Sequence, residues 1–128
     1  MILYINTADK EKVSLALWEE KLSSNKKVEY VEVLRQDFLA SRAQAEKLLP
    51  AIEKILQKGR IKLKDLNKII VADFGGSFTS LRIGIATANA LAYALNIPVE
   101  AETKGAALKV GAGIKIVAPR YNREPNIG

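Results

Sequence analysis

Residues 68–98, KIIVADFGGSFTSLRIGIATANALAYALNIP, decide the predicted fold of this chain. The β-branched, apolar run at 69–72 is short and ends at an aspartate, which predicts a buried strand. The two glycines that follow indicate a turn, and Ser77 suits the N-cap of a helix. Apolar residues over 78–95 recur on one stripe, which predicts a helix that the final proline of the stretch ends. The stretch is therefore predicted to hold one helix against a sheet.

The rest of the chain supplies more strands and a second helix. Alternating apolar residues predict an antiparallel meander of three strands, at 2–5, 13–18 and 28–34. A helical stripe predicts a helix at 38–58, which Pro50 is expected to kink or divide. A last strand is predicted at 99–102. This order predicts an α/β fold, in which a mixed five-stranded sheet carries two main helices on one side.

Gly84 is unusual because it lies inside the second predicted helix, where glycine costs about 1 kcal/mol relative to alanine. Alanines at 86, 88, 90, 92 and 94 leave the same helix thin. Either Gly84 packs closely on the sheet of its own chain, or it allows a helix of another chain to approach. The sequence leaves both interpretations open.

Composition excludes several kinds of chemistry. The 128 residues include no cysteine and no histidine, so disulfides, thiolate catalysis and histidine acid–base or metal chemistry are absent. The net charge of +6 permits an acidic partner or RNA, although a solvated basic surface is the commoner explanation. No signal peptide and no apolar run long enough to cross a membrane are evident. A cytoplasmic protein is the simplest expectation.

The central stretch resembles the TsaB family, also called YeaZ, whose hallmark is GPGSFTGLRIG before an alanine-rich helix. The residues that stand at the family's turn and first helical turn are Gly75, Gly76, Ser77, Phe78, Thr79 and Arg82. The opening LYINT at 3–7 and the LLPAI at 48–52 also resemble the family, as do Pro119, Tyr121 and Arg123 in the tail. The turn differs from the family, because Phe74 and Gly75 replace its Gly-Pro and Ser80 replaces a glycine.

The resemblance implies a single actin/sugar-kinase-like (ASKHA, RNase H-like) domain. Similarity covers about residues 1–102, whereas family members carry a second domain of roughly equal size. Residues 103–128 are therefore expected to form a short remnant tail in place of the second domain. Within that tail, 114–117 is predicted to be a strand that packs on the domain.

The family's role implies a non-catalytic subunit. TsaB-type proteins pair with a TsaD-type protein and, through it, with a TsaE-type ATPase and tRNA, in making threonylcarbamoyladenosine beside the anticodon. No catalytic residue, metal or cofactor is expected here, because Asn6 stands where the family often has an aspartate, and Asp9 and Asp73 read as turn or cap residues. Two alternatives stay open: a small nucleotide-binding or hydrolytic enzyme of the same fold, and a structural homo-oligomer.

The contact with the TsaD-type partner is predicted to involve both helices. The residues expected at this interface are Leu48, Leu49, Ile52, Leu81, Gly84, Ile85 and Ala88. In the absence of that partner, the same apolar surface is expected to favour a homodimer.

Overall fold

A computed structural model describes residues 1–41 and 43–102 and, beyond them, the backbone of two short strands. The strands are Ile2–Asn6 (β1), Lys12–Leu22 (β2), Val28–Leu39 (β3), Lys68–Val71 (β4), Val99–Ala101 (β5), Ala107–Val110 (β6) and Ile114–Val117 (β7). The helices are Gln44–Lys58 (α1) and Phe78–Leu95 (α2), and a short 3-10 turn at Leu63–Asp65 leads into β4.

The sheet has five strands in the order β3-β2-β1-β4-β5. The central strand β1 is antiparallel to β2 and parallel to β4, and β4 is parallel to β5. The mixed sheet, the early meander and the α/β class are therefore confirmed. Strands β6 and β7 pair with each other as a separate antiparallel sheet, and β7 lies beside β5 and α2.

Both helices pack on the same face of the sheet, as predicted. Alternation along β1 directs Leu3 and Ile5 to this face, where they meet apolar residues from both neighbouring strands. The helices contribute residues of their apolar stripes, and the core cluster includes Leu15, Leu17, Leu48, Ile52, Ile55, Ile69, Val71, Leu81, Ile85 and Ala88. The main core therefore lies between the sheet and the two helices.

The opposite face of the sheet carries a row of stacked aromatic rings. The ring centroids of Tyr4 and Trp18 are 4.4 Å apart, and those of Trp18 and Tyr30 are 5.6 Å apart. The Lys68 ammonium lies 5.7 Å from the Tyr30 ring and 3.5 Å from a carboxylate oxygen of Glu100. Since Ile2, Ala16 and Ile70 are buried in a smaller cluster with Tyr4, this face has its own apolar layer.

Three boundaries in the first half of the chain differ from the prediction, the first being the end of β2, which lies at Leu22 and not at residue 18. The strand β3 continues to Leu39 and α1 begins only at Gln44, so the helix predicted from residue 38 starts six residues later. The reason is that residues 34–39 pair with β2 as a strand. Alternation along this strand directs both Leu34 and Phe38 toward the core. Pro50 lies inside one continuous helix, so the predicted division of that helix is wrong.

The division of the chain at residue 102 stays a prediction. The strand predicted at 114–117 is present as β7. Pro119, Tyr121 and Arg123, which resemble the tail of the family, lie outside the described residues.

Candidate functional site

The turn between β4 and α2 packs against the segment that follows β1. The amide of Ala72 donates to the carbonyl of Ile5 at 2.9 Å, and the amide of Ser77 donates to the carbonyl of Ala8 at 3.0 Å. Gly75 has φ of +142°, and a Cβ there would lie only 2.8 Å from the Cβ of Ala8. Only glycine suits this position, because both the backbone conformation and the close approach exclude a side chain.

The helix α2 begins and ends as the sequence predicts. The Ser77 hydroxyl accepts a hydrogen bond of 3.3 Å from the amide of Ser80, which makes Ser77 the N-cap. Asn96 closes the helix in the left-handed conformation, with φ of 56°. The first turn of α2 therefore lies at the carboxyl ends of β1 and β4.

The side chain of Thr7, at the end of β1, contacts the backbone of α2. Its hydroxyl donates to the carbonyl of Ser80 at 2.5 Å and accepts from the amide of Gly84 at 3.0 Å. Those two groups are four residues apart, which is the spacing of the carbonyl and the amide that form one hydrogen bond of an α-helix. A Cβ at Gly84 would overlap the Thr7 hydroxyl and lie 3.1 Å from its Cγ2. Gly84 is therefore required by a contact within the chain.

Six of the seven predicted interface residues are buried in the core. Leu48, Ile52, Leu81, Gly84, Ile85 and Ala88 face the sheet or the other helix, so they do not offer a surface to a partner. Leu49 alone of the set is well exposed, at 57%. The interface prediction is corrected for the six, because an apolar stripe on an amphipathic helix packs first on its own sheet.

The outward surface of α2 is a different stripe of the helix. Arg82, Ala86, Ala90 and Tyr93 follow one another at spacings of four, four and three residues, and all four are exposed. We call these four residues the outward stripe. The Arg82 guanidinium lies 5.3 Å from the centre of the Phe78 ring, which covers part of the first turn. The thin alanine surface expected from the sequence therefore exists here, away from Gly84.

A cleft of about 430 Å³ separates the first turns of α1 and α2. Most of its lining residues have polar side chains, among them Lys10, Glu11, Ser41, Gln44, Glu46, Ser77 and Thr79. Gln44 is a buried residue of this lining, and its side-chain amide donates to the carbonyl of Asp9 at 2.6 Å. Clefts at the carboxyl ends of strands are common ligand sites in α/β folds.

The polar residues at the carboxyl ends of β1 and β4 and in the turn after β1 have structural roles. The Asn6 amide oxygen accepts from the amide of Ala8 at 2.9 Å, and its nitrogen donates to the Tyr4 hydroxyl at 3.0 Å. The Asp9 carboxylate accepts from the amide of Glu11 at 2.8 Å, which confirms it as a turn residue. Asp73 is fully buried after β4. Among the described residues, no group of three or more acidic side chains converges as a metal site would require.

The Tyr4 hydroxyl completes this network on the other face of the sheet. It donates to the carboxylate of Glu102 at 2.9 Å. Burial, followed by the charge of Glu102, raises the pKa of the Tyr4 hydroxyl well above its ordinary value. This hydroxyl is therefore a neutral hydrogen-bond donor that ties β1 to the residue after β5.

Sequence reasoning missed Thr7 as part of the α2 contact. Thr7 and Gly84 are 77 residues apart, and no periodicity links them. The cost of a glycine inside a helix was the signal that something approaches closely there. In the described part of the chain, neither helix has the length and apolar content needed to cross a bilayer.

Residues 37–115 match the family model described as "TsaD: tRNA N6-adenosine threonylcarbamoyltransferase". The chain is 43% identical over 53 residues to the tRNA threonylcarbamoyladenosine biosynthesis protein TsaB of Buchnera aphidicola. These aligned residues are 41% of this chain and 25% of that protein. It is 34% identical over 73 residues to the Bacillus subtilis protein of the same name, covering 57% of this chain and 29% of that protein.

Solved structures agree with the sequence matches. YeaZ from Pseudomonas aeruginosa superimposes with a TM-score of 0.62 at 28% identity, over 78% of this chain and 42% of that one. RuvC from Thermus thermophilus, with a TM-score of 0.53 at 10% identity over 78% of this chain and 59% of that one, shares the fold alone. The predicted RNase H-like class is confirmed. The chain spans less than half the length of these TsaB and YeaZ proteins.

Proposed function

We propose that this chain, which belongs to the TsaD family by its match over residues 37–115, is a TsaB-type, non-catalytic subunit that pairs with a TsaD-type protein in tRNA threonylcarbamoyladenosine modification. The observation that carries the proposal is the match to TsaB proteins in sequence and to YeaZ in structure. The match to the family model, over residues 37–115, includes β4, the glycine turn and α2. Through the TsaD-type protein, the chain would join a TsaE-type ATPase and tRNA in the cytoplasm.

The site chemistry supports a binding role over catalysis. Phosphoryl transfer needs carboxylates that hold Mg²⁺ at the phosphates. At the end of β1 the side chain is the neutral amide of Asn6, and both of its polar ends are engaged within the chain. The Asp9 carboxylate is likewise engaged by the turn that it caps. We therefore propose that the cleft beside α2 does not hydrolyse ATP.

We propose that the partner contacts the outward faces of the two helices. Leu49 on α1 and the outward stripe on α2 are exposed, and the two helices are neighbours. Ala86 and Ala90 let another helix approach closely, while Arg82 and Tyr93 flank them with the residue types that are enriched at interfaces. This surface replaces the buried stripe as the candidate interface. The pairing is assigned to residues 1–102, with 103–128 as a separate tail.

The test is co-purification of the full chain with a TsaD-type protein from the same genome. The wild-type chain is expected to form a stable complex, and Ala86→Arg is expected to abolish it, because the new side chain would prevent close approach. Ser24→Arg is the matched control, since it adds the same side chain at an exposed turn far from both helices. Both variants should melt as the wild type does.

A second measurement tests the non-catalytic role. The purified chain is expected to show no Mg²⁺-dependent ATP turnover, whereas adding it to the TsaD-type and TsaE-type proteins with tRNA should raise modification. ATP turnover by the chain alone would contradict the non-catalytic role. A chain that neither binds the TsaD-type protein nor affects modification would contradict the proposed function as a whole.

A further inference from the structure

The outer edge of β3 is a long strand edge with no partner in the described residues. β3 is the last strand of the sheet and runs for 12 residues, more than twice the length of β1. Unpaired strand edges offer rows of amides and carbonyls that can template pairing with another strand. The second half of β3, from Leu34 to Leu39, is free of the irregularity that interrupts its pairing with β2 at Leu17 and Trp18.

The direction of the backbone groups in this half follows from one hydrogen bond. The amide of Ala40 donates to the carbonyl of Glu11 on the β2 side at 2.9 Å. Because amides alternate in direction along an antiparallel strand, those of Phe38, Gln36 and Leu34 also point to β2. The amides and carbonyls of Arg35, Asp37 and Leu39 therefore point outward.

Side chains in this half alternate between the two faces of the sheet. Leu34, Gln36 and Phe38 stand opposite the core residues Leu17, Leu15 and Val13, on the face that carries the helices. Arg35 and Asp37 stand on the other face.

Gln36 has an unsatisfied group in this position. Its side-chain oxygen is buried and has no hydrogen-bond partner among the described residues. A buried amide oxygen without a partner has lost its hydrogen bonds to water and gained none in return. A partner placed next to Gln36 would therefore be favoured.

We propose that a second copy of this chain pairs antiparallel with β3, with Gln36 at the two-fold axis. In this register Arg35 stands opposite Asp37 of the second copy, and Leu34 stands opposite its Phe38. Gln36 meets Gln36 of the second copy, and two carboxamides can exchange hydrogen bonds that satisfy the buried oxygen. Val33 and Leu39, which are 51% and 76% exposed, also stand opposite each other across the two copies.

The pattern of side chains favours a copy of the same chain over an unrelated strand. Arg35 and Asp37 already pair within each chain, with 3.2 Å between Nε and Oδ1. In this register each guanidinium would also face the Asp37 carboxylate of the second copy, so the four charges would alternate in sign. The same register brings the amides and the apolar residues together, and it does so twice because the interface is self-complementary. The outward amides and carbonyls of Arg35 and Asp37 would form backbone hydrogen bonds with the same residues of the second copy. The result is a continuous sheet of ten strands that leaves the outward faces of α1 and α2 free.

Cysteine cross-linking tests the register, because the native sequence has no cysteine. Two Gln36→Cys chains would place their Cα atoms about 4.5 Å apart, as in a non-hydrogen-bonded antiparallel pair. This separation lies within the range of about 4.4–6.8 Å that a disulfide spans. Val33→Cys is the matched control, since its two copies would be about 20 Å apart at 3.3 Å per residue. Gln36→Cys should form disulfide dimers and Val33→Cys should not.

Charge exchange tests the same interface in the reduced protein. Arg35→Glu makes residues 35 and 37 both negative, and Asp37→Lys makes them both positive. Like charges would then stand opposite each other across the two copies, so each variant alone should dimerise about tenfold or more weakly than the wild type. A mixture of the two variants has opposite charges across the axis and should restore the dimer in sedimentation equilibrium. A monomeric wild type at all concentrations, a dimer that neither substitution weakens, or cross-linking of Val33→Cys as fast as Gln36→Cys would each overturn the proposal.

Discussion

The hydroxyl of Thr7 accepts a hydrogen bond from the backbone amide of Gly84, 3.0 Å away. The same hydroxyl donates to the carbonyl one turn earlier in α2, so the residue that follows the central strand is bonded to both ends of a helical turn. This contact fixes α2 on β1 at a separation that leaves no room for a Cβ at Gly84. The glycine that is costly for the helix is therefore necessary for the sheet.

Gly84→Ala is expected to destabilise the fold, although alanine is the better helix former. Helix propensity alone would stabilise the variant by about 1 kcal/mol. Overlap with the buried Thr7 side chain is expected to outweigh that gain and to give a net loss of about 1–3 kcal/mol, as overpacking in cores does. Urea unfolding measures the difference. Ala86→Gly on the exposed face of α2 gives the propensity effect without the contact, and an alanine at 84 that stabilises the chain would disprove this explanation.

Thr7→Val is expected to cost about 1–3 kcal/mol of unfolding free energy, because a methyl group replaces the hydroxyl that bonds two buried backbone groups. Thr7→Ser keeps the hydroxyl and is expected to cost less, about 0.8 kcal/mol for the lost methyl group. Equal stability of Thr7→Val and the wild type would show that the hydrogen bonds contribute nothing.

The two positions are also expected to be coupled. In a Thr7→Ala background the overlap is relieved, so Gly84→Ala should cost less there than in the wild type. The difference is expected to be about 0.5–3 kcal/mol, the range found for residues in contact. Thermal or urea unfolding of the four proteins in the cycle measures it, and strict additivity would argue against a direct contact.

The Tyr4 hydroxyl is expected to lose its proton at a higher pH than a tyrosine hydroxyl ordinarily does. Its pKa is raised in the folded state by burial and by Glu102, so its contribution to stability is fully present below about pH 10 and is lost as the pH rises toward the folded pKa. Ultraviolet titration of phenol ionisation should show a late step that Tyr4→Phe removes. The exposed Tyr93 is the control, since Tyr93→Phe should leave the late step in place.

Pro50→Ala is expected to stabilise the chain by about 1–3 kcal/mol, because it restores an amide for the carbonyl of Glu46 and removes the clash of the proline ring inside a helix. Thermal unfolding measures the gain. Pro50→Gly also restores the amide, but glycine is a poor helix former, so this variant should gain less stability than Pro50→Ala. A loss of stability in Pro50→Ala would mean that the proline ring makes a packing contribution larger than its helix cost.

The unit of β4, turn and α2 was predictable because each of its boundaries has a local chemical signal. Ser77 caps the helix, Asn96 adopts the left-handed conformation that ends it, and the two apolar runs have clear periods. The start of α1 had no such signal, because Ala43 provides no side-chain cap and the strand residues before it are also apolar. Local patterns therefore located one helix well and the other poorly.

Which side of the helices is exposed was predicted less well, for a reason that periodicity cannot overcome. A period shows that Leu81, Ile85 and Ala88 share one face of a helix, but it does not show whether that face meets the chain's own sheet or another protein. The contact of Thr7 with Gly84 joins residues 77 positions apart, so it too lay beyond any local pattern.

The position of β1 between β2 and β4 has a consequence for how the chain is made. Its pairing with β2 joins residues close in sequence, whereas its pairing with β4 joins Ile2 to Lys68. During synthesis the N-terminal end emerges first, so the meander of β1, β2 and β3 can form before β4 has been translated. Until then, the edge of β1 that will pair with β4 has no partner strand. That edge is apolar and open to other nascent chains until β4 arrives, which makes this interval the time at which misassembly during translation is most favoured.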